Sequence, residues 1–127
     1  MNEKNEKIEG GREKEHKPQT FNKLVRDGIP EIIEENGDKP FTHIADDIEF
    51  ERALEEKLRE EIEELIEKLN SGEENEEIIK EMADVLEVLY TVCGLKGINV
   101  DEIEIVRKKK AEKRGGFKKR IILDRTE

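Results

Sequence analysis

From Glu74 to Leu95 the chain offers a helix whose apolar side chains spread over about 220° of its circumference. Ile78, Ile79, Met82, Ala83, Val85, Leu86, Val88, Leu89, Tyr90, Val92, Cys93 and Leu95 form this surface, and Lys80, Asp84, Glu87, Thr91 and Gly94 fill the remaining strip. One partner helix cannot cover so wide a surface, so the segment calls for a bundle completed by further copies of the chain. One acid breaks the pattern. Glu81 stands outside the polar strip with Val85, Val88 and Val92 on its flanks, and a carboxylate there is costly unless a base or a cation balances it.

The preceding segment is a second helix. Asp46 and Glu49 have capping-box spacing, and Ser71-Gly72 breaks the helix after about Asn70. Leu54, Leu58, Ile62, Leu65, Ile66 and Leu69 fall in an arc about 120° wide. Glu61 lies about 20° beyond its edge and Glu64 about 60° further round, while Glu60 projects to nearly the opposite side. Glu61/Glu64 and Glu81/Asp84 are thus two acidic pairs, each spaced to share one helix face. The short turn between the helices forces them antiparallel, which brings four carboxylates toward one small volume. A bound hard cation makes such crowding tolerable.

The rest of the chain is read around this hairpin. Residues 1–19 are almost without apolar side chains and form an expected disordered, charged leader, leaving 20–127 as one domain. Phe21 to Ile29 is a mixed segment whose apolar side chains dock on the helices. Pro30 opens a short helix ending near Gly37, and Lys39 to Ala45 is extended. Asn99 and Glu102 form a second capping box, with Ile98 and Ile103 placed as a hydrophobic staple, and Gly115-Gly116 stops that last helix. Phe117 to Leu123 closes the chain as an extended tail. The fold class is therefore all-α: an antiparallel helical hairpin completed into a bundle by assembly into a homodimer or homotetramer, with short extended segments.

Composition narrows the function. Charged residues make up 46% and aromatics 4% of the 127 residues, which suits solvated helices around a thin aliphatic seam. A formal charge of −10 argues against a nucleic-acid polymer as partner, because an acidic surface repels phosphate backbones; a single nucleotide carried as a magnesium complex is still admitted. No apolar stretch reaches the roughly 20 residues of a membrane span and there is no signal-peptide core, so a cytoplasmic location is expected. Cys93 lies in an apolar run and is read as a reduced core residue. His16, His43 and Cys93 cannot build a structural zinc site alone. No calcium loop and no glycine-rich phosphate loop ending in Gly-Lys occurs.

Basic residues are unevenly placed. Between Glu104 and Arg120 there are nine Lys or Arg and two Glu. Lys109, Lys110, Lys113 and Arg114 are read either as solvated helix-end charges or as groups that meet substrate phosphates. Lys23 and Arg26 carry the same two readings, with ion pairs to nearby acids as the plainer one. For Glu81 the plainer reading is a core carboxylate satisfied by Lys23, Arg26 or another base.

Glu60-Glu61-x-x-Glu64 followed by Glu81-x-x-Asp84 resembles the signature of the all-α nucleoside triphosphate pyrophosphohydrolases, the superfamily of MazG, dimeric dUTPases and phosphoribosyl-ATP pyrophosphohydrolase. The opening Asn22-Lys23-Leu24-Val25-Arg26-Asp27-x-Ile29-Pro30-Glu31-Ile32-Ile33 and the closing Lys113-Arg114-Gly115-Gly116-Phe117 are similar to the MazG-like branch labelled phosphoribosyl-ATP pyrophosphohydrolase-like. The resemblance implies an all-helical fold, Mg²⁺ as cofactor, Glu61, Glu64, Glu81 and Asp84 as metal ligands and catalytic acids, and hydrolysis of a nucleoside triphosphate to monophosphate and pyrophosphate. Removal of non-standard nucleotides is one expected role. At Gly28 the chain departs from a lysine expected in relatives, so no phosphate contact is assigned there. Two other functions stay open: phosphoribosyl-ATP hydrolysis in histidine biosynthesis, and a non-catalytic helical oligomerisation or regulatory module.

Overall fold

A computed structural model describes residues 21–127 of the chain; the expected leader and His16 lie outside the described residues. The chain divides into two units, one running to Leu89 and the other from Tyr90 to Glu127. The described residues form four helices, α1 (Ile29–Glu35), α2 (Asp47–Asn70), α3 (Asn75–Lys96) and α4 (Val100–Arg114), and no strand.

In the first unit, α1 follows a turn in which the Ile29 amide donates to the Arg26 carbonyl at 3.0 Å, and proline sits in its first turn. A helix can accept proline there because the missing N–H has no intrahelical partner anyway. α2 starts as its capping pattern demands: the Asp46 side chain accepts from the Glu49 amide at 2.9 Å. Gly72, at φ 74°, turns the chain back between α2 and α3. Glu77 on α3 joins Lys68 of α2 at 3.6 Å and Lys80 of its own helix at 3.4 Å. Lys80 by its hydrogen bond and its charge, and Lys68 to a lesser degree, hold the Glu77 carboxyl below the usual carboxylate range.

The face that α2 buries is not the centre of its apolar arc. Leu54, Lys57 and Glu61 are its buried residues, whereas Ile62, Ile66 and Leu69 are exposed. At 100° per residue the buried stripe is rotated toward the acids, leaving about 60° of the apolar arc open. α3 repeats this. Glu81 and Val88 are buried, while Ile79, Met82, Leu86 and Leu89 form an exposed stripe spaced i, i+3, i+7, i+10. Upstream of α1, Leu24 and Val25 are half-buried but Phe21 stays 43% exposed, and Ile29, the first residue of α1, is buried.

The second unit carries the end of α3, where Cys93 is buried. The Ile98 amide donates to the Cys93 carbonyl at 2.9 Å with Gly97 at φ 69°, the glycine-closed ending that satisfies late helix carbonyls. Asn99 then caps α4 with both halves of the capping box present. α4 buries none of its residues. Beyond Gly115 the tail does not simply extend: Phe117 to Arg120 forms a turn, the Arg120 amide donating to the Phe117 carbonyl at 3.1 Å with Arg120 at φ 59°.

Candidate metal centre

Glu61 on α2 and Glu81 and Asp84 on α3 each present a carboxylate oxygen, and these oxygens lie within 4.8 Å of one another. Glu61 is 2% exposed and Glu81 5%. The i, i+3 spacing puts Asp84 one turn beyond Glu81 on the same face, and the hairpin turns Glu61 toward both. Glu64, half-buried one turn further along α2, stands outside this group of three.

Three cations meet these acids and their neighbour Glu60. Arg26 donates from Nη2 to Asp84 Oδ1 at 2.8 Å, across 58 residues of sequence. Lys23 Nζ lies 3.4 Å from Glu60 Oε2. Lys57, 8% exposed, sits with Nζ 3.5 Å from both Glu60 Oε1 and Glu61 Oε2. Charges thus alternate from Lys23 through Glu60 and Lys57 to Glu61. Both Lys57 separations are ion-pair distances, and its Nζ finds no hydrogen-bond acceptor among the described residues. The plainer reading of Lys23 and Arg26, ion pairs to local acids, is realised here, with Glu60 and Asp84 as the acids.

Two members of this arrangement escaped sequence reasoning. Glu60 was expected to face away from the seam; it is half-buried because the segment before α1 covers that side of α2 and sets Lys23 against it. Lys57 had a signal: on the helical wheel it falls between Glu61 and Glu64, so it shares their face. Lys110, Lys113 and Arg114 belong to the second unit, exposed on the last turns of α4. At Gly28 an added Cβ would meet nothing within 4 Å, so packing does not demand a glycine there.

A cleft of about 850 Å³ opens beside the charge chain, lined among others by Asn22, Lys23, Arg52, Lys57, Arg59 and Glu60. Its lining holds four bases, Lys23, Arg52, Lys57 and Arg59, and five acids, Asp46, Glu49, Glu56, Glu60 and Glu63, and none of the three clustered carboxylates. The centre's own donor set is oxygen only, which suits a hard divalent cation better than zinc or copper. Octahedral Mg²⁺ at roughly 2.1 Å holds its ligand oxygens about 3 to 4 Å apart, so small side-chain rotations bring Glu61, Glu81 and Asp84 into register.

Fold and centre together define a class: an all-helical protein with a carboxylate cluster across a helical hairpin, fit for a hard cation. Comparison with known families narrows this. Residues 20–110 match the family described as phosphoribosyl-ATP pyrophosphohydrolase, and the chain belongs to that family, a branch of the MazG-like all-α pyrophosphohydrolases that act on a phosphoric anhydride bond of nucleotide substrates. No curated protein and no solved structure matches the chain.

Proposed function

We propose that this pyrophosphohydrolase is Mg²⁺-dependent and converts a nucleoside triphosphate to its monophosphate and pyrophosphate, with clearance of non-standard nucleotides as its role. The observation that carries the reading is the convergence of Glu61, Glu81 and Asp84 across the hairpin that the family match spans. These three, with Glu64 beside them, are assigned to hold the cation. When bound, the cation supplies charge neutralisation at the phosphoryl oxygens and a template for the triphosphate. One carboxylate of the four takes the proton of the attacking water. The water oxygen bonds to the α-phosphorus while the bond from that phosphorus to the bridging oxygen of the departing pyrophosphate breaks. Lys23 and Arg26 are assigned to the leaving group's charge, and Lys110, Lys113 and Arg114 are kept as phosphate-binding candidates on charge alone.

A magnesium-supplemented screen of standard, deoxy and damaged triphosphates, read by pyrophosphate appearance, tests this reading; no release from any of them would sink it. Phosphoribosyl-ATP belongs in the same screen, because the description of the matched family names that substrate. Turnover of that compound alone would replace the first reading with hydrolysis in histidine biosynthesis.

The proposal extends to assembly. The open stripes Ile62/Ile66/Leu69 and Ile79/Met82/Leu86/Leu89 support a homo-oligomer, since apolar surface in continuous helical stripes gains from burial. Leu86→Glu is expected to shift the protein to a monomer in light scattering after size-exclusion chromatography. An unchanged mass, or a wild-type protein that is already monomeric, would end this part. No helix among the described residues is long and apolar enough to cross a membrane.

A further inference from the structure

Arg26 and Lys57 both stand on acids of the triad, and they are held in different ways. Lys57 is buried and shares a helix with Glu61, to which it is paired one turn away; its burial leaves the side chain little room to move. Arg26 comes from the irregular segment ahead of α1, and its side chain is 46% exposed. Its partner Asp84 is only 13% exposed, so the pair is open to water on the arginine side alone. The guanidinium can swing off Asp84 by side-chain rotation alone.

Asp84 is the least buried acid of the three, and the oxygen that Arg26 grips belongs to a carboxylate of the triad. A guanidinium on that carboxylate and a divalent ion among Glu61, Glu81 and Asp84 repel each other. Lys23 is a separate case, since its acid, Glu60, lies outside the triad. We infer that Arg26 is an exchangeable counter-cation: it occupies Asp84 in the free protein, gives it up when a divalent cation binds, and then donates to the phosphate oxygens of the substrate. The planar fork of arginine matches carboxylate and phosphate alike, so the same donors serve both partners. This deepens the reading of the triad as a metal centre and rests on it. It gives Arg26 two partners in succession and couples metal loading to the release of a phosphate-binding group.

The test is calorimetric and uses the full chain. Mn²⁺ is titrated into substrate-free wild type, Arg26→Met, Arg26→Lys and Glu81→Gln; inorganic tripolyphosphate is then titrated into each at saturating Mn²⁺. Removing the competing charge is expected to tighten Mn²⁺ binding about fivefold in Arg26→Met. The same variant is expected to bind tripolyphosphate about tenfold more weakly, having lost a charge-assisted donor. Arg26→Lys keeps the charge and stays near wild type for Mn²⁺. The opposed directions matter, because a merely structural arginine would weaken both. Mn²⁺ binding in Arg26→Met that is unchanged or weaker overturns the inference, as does unchanged tripolyphosphate affinity. If Glu81→Gln binds Mn²⁺ as tightly as wild type, the metal centre itself fails and takes the inference with it. Glu81-dependent Mn²⁺ binding that ignores Arg26 removes the inference alone.

Discussion

Glu81→Gln is expected to lower kcat/KM by about 10³-fold or more, the scale set by several kcal/mol of lost transition-state charge stabilisation. The substitution keeps the shape of the side chain and removes its charge. Glu81 is 5% exposed and shares the triad with Glu61 and Asp84. In the free protein, crowded carboxylates in a dry hairpin are a burden on stability, so neutralising one should leave the melting temperature unchanged or raise it. Loss of activity with stability kept is the pattern of a working residue, and Glu81→Ala provides a second variant should the amide find an unintended partner. Wild-type turnover in both variants, measured as pyrophosphate release at saturating magnesium, would return Glu81 to the status of a structural acid. It would also revive the non-catalytic module.

Lys57→Met is expected to act in the opposite sense. It removes the one buried cation placed between Glu60 and Glu61 and leaves their charges without it. Breaking a buried pair by deleting one partner costs about 3–5 kcal/mol, a large share of a small domain's stability. Methionine retains the apolar stem, so the loss reports the ammonium and not a cavity. The variant should then regain more stability than wild type from added Mn²⁺, because a cation that binds only the folded state shifts unfolding by mass action. Urea denaturation with and without Mn²⁺ measures both effects. A variant as stable as wild type would mean that Lys57 contributes nothing net to the cluster.

Much of this centre could be read before any coordinates existed, and the reason is periodicity. The α2 and α3 patterns fix which side chains share a face, and Glu81 betrays itself as an acid inside an apolar arc. The caps at Asp46 and Asn99 are local chemistry and appear where their spacing puts them. What periodicity could not supply is the contact made across a long loop. Lys23 reaches Glu60 over 37 residues and Arg26 reaches Asp84 over 58, from a segment with no repeat to phase it. The helical wheel points Glu60 away from the seam and Glu61 toward it, as found, but it gives direction and not what covers that side. Nor does an apolar arc say which of its edges the chain's own packing uses. α2 buries the edge next to Glu61 and exposes Ile62, Ile66 and Leu69.

The connection between α2 and α3 has a consequence for how the chain tolerates length changes. Glu61 and Glu81 sit on separate rigid rods joined only through residues 71–74. A glycine added within that link alters neither rod's angular phase, and loop lengthening costs little entropy. The same glycine added between Asn75 and Glu81 rotates Asn75 and its neighbours by about 100° relative to the acid, so that either the hairpin packing or the carboxylate must turn away. Mn²⁺ titration of the two insertions should find the first competent and the second not. In this hairpin the ligands are kept together by rotational phase, and the count of residues between them is free to drift.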